Sequence, residues 1–121
     1  MAFRDELVKV CEGVEGGVLC TLMSFDGIPV DTFEREEAAA RLNVQTLLGE
    51  ITNAANQLNL ALKAGGFERA GEVTVSLREC AVVIRQITDE YFVALALEEG
   101  GNFGKARYLL RTIAPVLQEQ L

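Results

Sequence analysis

Two segments of the chain are apolar on both sides of an extended strand, and nothing else constrains the fold as much. Val18 to Ser24 puts Val18, Cys20 and Leu22 on one side and Leu19 and Met23 on the other. Tyr91 to Leu97 is apolar on both sides as well, with Ala94 and Ala96 together where a neighbour packs closely. A strand that is half exposed to water alternates polar and apolar residues, whereas a strand apolar on both sides has to be covered twice. The chain therefore needs a sheet with helices on both faces.

The other segments supply those parts. From Ala2 to about Val14, Phe3, Leu7, Val10, Cys11 and Val14 recur at helical spacing, and Gly13, Gly16 and Gly17 end that helix. Phe25-Asp26-Gly27 is a hairpin turn, since Asp-Gly supplies the positive φ that such a turn requires. Ile28 to Phe33 returns as a second strand, and Pro29, which has no N–H for a ladder, places it at an edge. Glu34 to Leu42 reads as a loop or a short helical turn, with Asn43 as N-cap of the next helix. That helix, Val44 to Ala64, is the longest periodic segment and closes at Gly65-Gly66; its core stripe reads Val44, Leu47, Leu48, Ile51, Ala54, Ala55, Leu58 and Leu62. The period then drops to two, with Val73, Val75 and Leu77 facing inward, before the more buried strand Cys80 to Ile87. A last helix begins at Phe103 or Gly104 behind Asn102, and Pro115 is expected to interrupt or kink it. The order predicts an α/β (α+β) sandwich, one domain over residues 1–121 with a five-stranded, mostly antiparallel sheet.

Composition narrows the function. Asp and Glu total 18 against 11 Lys and Arg, a net charge of −7, so a nucleic-acid surface is not expected. With no histidine, the chain lacks the commonest general base and the commonest zinc ligand. Cys11, Cys20 and Cys80 form no C-x-x-C pair and sit among apolar neighbours, as small buried side chains do. Gly100-Gly101-Asn102-Phe103-Gly104-Lys105 fails the phosphate-loop pattern, because Glu99 holds the first glycine position and Ala106 follows the lysine. Glu34, Glu36 and Glu37 have no apolar enclosure to make them an acid–base pair. Apolar runs are too short to cross a bilayer and the start of the chain turns acidic at once, so a cytoplasmic protein is expected. The expectation is a binding module with no catalytic residue, no cofactor and no metal.

Three patches, with the element order, carry a resemblance. They are the hairpin Leu22 to Val30, the long middle helix, and the turn Asn102-Phe103-Gly104-Lys105-Ala106-Arg107-Tyr108. Together they resemble the Roadblock/LC7 family, and within it the MglC-type gliding-motility proteins more than the MglB type. The resemblance implies a profilin-like antiparallel sheet of order 2-1-5-4-3, with the long helix on one face and the two terminal helices on the other. It also implies a homodimeric adaptor in a Ras-like small-GTPase polarity or motility module. Such an adaptor would bind an MglB-type roadblock protein and a polar-localisation partner, possess no membrane insertion, and be recruited to cell poles. The alternative it implies is a direct GTPase-activating protein of the MglB type.

Three surfaces are candidates. No charged residue lies between Glu50 and Lys63, a gap of 12, and the side opposite the core stripe carries Gln45, Gly49, Thr52, Asn53, Asn56, Gln57 and Leu60. Interface cores are depleted in charge, so this side is expected to dock on a second copy; otherwise it is a polar face in water. The third strand, with Thr74 and Ser76, lies at an edge in the family order and, apart from Glu72 and Arg78 at its ends, lacks the Pro, Lys or inward charge that blunts one; it is expected to pair with its twin unless its own neighbouring loop covers it. Phe25, Asp26 and Ile28 at the hairpin tip are the candidate partner-binding residues; the alternative is that Phe25 and Ile28 fold back on the first helix. Lys105, Arg107 and Arg111 form a small basic strip on the last helix.

Overall fold

A computed structural model describes residues 2–121. Its elements are α1 (Ala2–Gly13), β1 (Gly17–Ser24), β2 (Pro29–Glu34), α2 (Glu36–Leu42), α3 (Val44–Ala64), β3 (Glu72–Ser76), β4 (Cys80–Gln86), β5 (Tyr91–Glu98) and α4 (Phe103–Glu119). The strands form one antiparallel sheet in the order β2-β1-β5-β4-β3. The doubly apolar strands β1 and β5 lie inside it, and the strand that opens with Pro29 lies at its edge.

Each face of the sheet has its own core. On one, Leu7, Val10 and Cys11 of α1 and Leu110, Ile113 and Leu117 of α4 pack on Cys20, Leu22, Val83 and Leu95. On the other, Val44, Leu48 and Ile51 of α3 and Ala38 and Ala39 of α2 pack with Leu19, Met23, Val82, Ile84 and Phe92. Ala94 and Ala96 belong to this second core, so the small side chains of β5 face the long helix. Each fully buried Leu or Phe contributes about 1.5–3 kcal/mol relative to exposure, so the two cores together anchor both helical layers.

Outside the long helix, the structure corrects the sequence reading at four points. Alternation assigns Val18 to the side of Cys20 and Leu22, but it packs with Leu19 and Met23, because the β1–β5 register shifts between Gly17 and Leu19. Asn43 does not cap α3 with its side chain. It adopts the left-handed conformation (φ 50°, ψ 49°) as the joint between α2 and α3, a conformation that asparagine tolerates better than most residues. β3 ends at Ser76, which leaves Leu77 outside the sheet and 46% exposed. Pro115 does not end α4, which continues to Glu119. Pro115 and Arg111 are both exposed, so water can bond the carbonyl of Arg111 that the missing N–H leaves free.

Candidate functional site

The long helix is rotated relative to its sequence stripe. Its buried residues are Val44, Leu48, Ile51, Thr52, Ala55 and Asn59, while Ala54 and Leu58 turn outward. Thr52 and Asn59 are polar by type yet lie inside, because the backbone satisfies them locally. Thr52 Oγ1 donates to the Leu48 carbonyl at 2.7 Å, and Asn59 Oδ1 accepts from the Ala70 N–H at 2.9 Å. Thr52, 2% exposed, therefore has nothing to offer a second copy, and its assignment to a dimer face is corrected.

Two exposed flanks result. The first faces the hairpin and carries Gly49, Asn56 and Leu60, with Asn53 and Gln57 exposed beside them. Asn56 Nδ2 donates to the Phe25 carbonyl at 2.8 Å and ties this flank to the β1–β2 turn. Phe25 does not fold back on α1. Its ring packs on Phe92, centroids 4.9 Å apart, on the long-helix face of the sheet. Ile28 is 65% exposed and Asp26 is exposed as well, so two of the three hairpin candidates stand in solvent. Gly27 (φ 90°) makes the turn, its N–H donating to the Ser24 carbonyl at 3.0 Å. A concavity of about 510 Å³ lies between this turn and α3, bordered by Asp26, Gly49, Glu50, Asn53 and Asn56.

Gly49 has no reason within the chain to be glycine. A Cβ added there meets no atom within 4 Å, and its φ is not positive. Glycine inside a helix costs about 0.5–1 kcal/mol relative to alanine. Gly49→Ala is expected to stabilise the isolated chain by about that amount in a denaturant melt.

The second flank carries Leu47, Ala54, Leu58 and Ala61, with Leu58 40% exposed. Leu47 shares the rim of its core with Val73 and Val75 of β3, which are also only partly buried. β3 itself is an open edge. Gly71 accepts from the Gln86 N–H and Leu77 donates to the Cys80 carbonyl, which sets the alternation. The N–H and C=O groups of Glu72, Thr74 and Ser76 then point away from β4, unpaired among the described residues. Thr74 and Ser76 are exposed, while the Glu72 carboxylate is held by Arg107 of α4 at 2.6 Å and by Arg85 at 3.9 Å. The basic strip on α4 is thus partly spent inside the fold.

The remaining candidates behave as structural parts. Asn102 Oδ1 accepts from the Lys105 N–H at 3.1 Å, so the Gly-rich turn serves as a helix cap. Glu36 and Glu37 occupy the first turn of α2, where negative charge suits the helix dipole. Burial raises the thiol of Cys11 to about 11 and those of Cys20 and Cys80 above their usual value, so all three stay protonated at neutral pH. No helix among the described residues is long and apolar enough to cross a membrane, and none of those residues form a cluster suited to a metal ion.

No family model matches the chain, and no curated protein does. Solved structures do. MglC from Myxococcus xanthus is 39% identical, with all of both chains covered and a TM-score of 0.81. MglB in a tetrameric arrangement is 16% identical over 96% of this chain and 85% of its own, with a TM-score of 0.82. A Roadblock/LC7 domain from Streptomyces avermitilis is 11% identical over 95% and 93%, with a TM-score of 0.78. The last two share the fold, whereas full-length identity at the level of the first carries kinship, and this chain belongs to the Roadblock/LC7 family alongside MglC.

Proposed function

We propose that this single Roadblock domain is a non-enzymatic, homodimeric adaptor in a Ras-like small-GTPase module of cell polarity or gliding motility. In this reading it joins an MglB-type roadblock protein to a polar-localisation partner and acts on the GTPase indirectly. The observation that carries the reading is the full-length likeness to MglC. Two features of the surface support it. The open edge of β3 and the apolar flank of α3 form a self-complementary face for a second copy, in which Thr74 and Ser76 pair antiparallel across a two-fold axis and Leu58 meets its twin. The amide flank, with Gly49, Asn53, Asn56, Gln57 and Leu60, is expected from sequence to meet a second copy; because it continues into the hairpin, we assign it with the hairpin to the partner instead.

A pair of substitutions tests the partner surface without touching the core. Asp26 and Ile28 are exposed, so Asp26→Lys with Ile28→Glu should leave the circular dichroism spectrum unchanged. Capture of an MglB-type protein is expected to fall at least about tenfold, in line with loss of one interfacial anchor. Undiminished capture contradicts the assignment. A GTP-turnover assay with the cognate GTPase separates the adaptor from a direct activator: the chain alone should leave turnover at its basal rate, and strong stimulation overturns the adaptor reading.

A further inference from the structure

Arg69 lies in the link between α3 and β3, a segment the sequence reading passes over. Its guanidinium carbon stands 4.4 Å from the centroid of the Phe25 ring, and that ring is seated on Phe92. The guanidinium therefore rests against the Phe25 ring at the base of the hairpin. Its Nε and Nη2 atoms are sealed from water and have no hydrogen-bond acceptor. Among the described residues, no other buried side-chain nitrogen or oxygen is left so. Nε–H and one Nη–H of a guanidinium run parallel and together match the two oxygens of a carboxylate. The unsatisfied pair is thus the fork that recognises carboxylates, and a buried charged donor without an acceptor is destabilising.

The space beside it is suited to supply that acceptor from outside. A cavity of about 730 Å³ borders Arg69 and reaches the hairpin, with Asp26, Lys63, Glu68 and Asp89 on its rim. None of these rim carboxylates forms an ion pair with Arg69. Asp89 instead accepts from Gln86 at 3.4 Å, and Asn59 Oδ1 is occupied by the Ala70 N–H. Three acids against one lysine leave the rim net acidic, which favours a carboxylate carried on a segment whose flanking residues are basic.

We infer that Arg69 is a docking residue that takes an Asp or Glu side chain from a basic segment of the partner protein at the hairpin. The inference rests on the adaptor reading for the partner's identity but not for the chemistry. Because Nε and Nη2 are sealed from water in the free chain, docking requires the guanidinium to move off the Phe25 ring far enough to present its fork to the cavity.

Two experiments decide it. Arg69→Met keeps an unbranched apolar side chain over Phe25 and removes the unsatisfied N–H groups. Its melting temperature is expected to equal or exceed that of the unaltered chain, while its affinity for an MglB-type protein falls at least tenfold. Arg69→Lys recovers little of the loss, because an ammonium cannot present two parallel N–H bonds. Equal affinity for Arg69→Met, or a loss accompanied by a lowered melting temperature, overturns the inference. The second experiment needs no native partner. The peptide acetyl-Lys-Lys-Glu-Lys-Lys-amide, at millimolar concentration, should shift the Arg69 Nε–H resonance of the nitrogen-labelled chain. The same peptide with Gln for Glu should not. An unmoved resonance, or equal shifts with both peptides, also overturns it. If the unaltered chain fails to bind the MglB-type protein, the adaptor reading fails, and the peptide titration still decides the site.

Discussion

The Leu58→Arg variant is expected to sediment as a monomer at micromolar concentration, with a circular dichroism spectrum identical to that of the unaltered chain. Leu58 is 40% exposed and sits outside the buried stripe of α3, so a charged side chain there does not enter the core. In a two-fold interface the same residue appears twice, opposite or near itself. Each copy forfeits the burial of a leucine, about 1.5–3 kcal/mol, and two like charges are brought together in a site with little water. That loss is comparable to what the paired edges of β3 supply, since antiparallel hydrogen bonds contribute only about 0.5–1.5 kcal/mol each after exchange with water. A Leu58→Arg chain that remains dimeric places the second copy elsewhere.

The second large effect is expected in the core beneath the partner surface. Phe92→Ala should destabilise the fold by about 3–5 kcal/mol, the range for truncating a buried phenylalanine. Phe92 is fully buried on β5 and supports the ring of Phe25, which in turn lies under the guanidinium of Arg69. Removal of that ring leaves a cavity under the hairpin as well as a lost hydrophobic contribution. A denaturant melt reads the first consequence. The second is a fall in partner affinity larger than the unfolded fraction explains, because Phe25 loses the platform that fixes its position. Phe92→Leu, which refills most of the space, should restore much of the stability but less of the binding.

Much of this architecture is legible in the residues. The two doubly apolar strands give a twice-covered sheet, Pro29 marks an edge, and Asn102 marks the start of α4; all three hold in the structure. On the long helix the failures come from assigning a face by residue type alone. Thr52 and Asn59 are polar and lie inside because nearby carbonyl and N–H groups satisfy them, whereas Ala54 and Leu58 are apolar and lie outside. A stripe placed by apolar count is therefore rotated toward the wrong flank of α3. Val18 departs from alternation because a register shift is invisible without its neighbouring strand. Arg69 carries no pattern at all in sequence. Its isolation among Phe25, the helix end and the β3 link exists only after the chain has closed.

If this protein works by joining other proteins through these two surfaces, both must bind in solution. Sedimentation velocity of the chain alone, and then mixed with an MglB-type roadblock protein, tests this most directly. A dimer of the 13.2 kDa chain is expected at micromolar concentration, with a faster-sedimenting complex on mixing. A monomer that sediments unchanged in the presence of the second protein would contradict it.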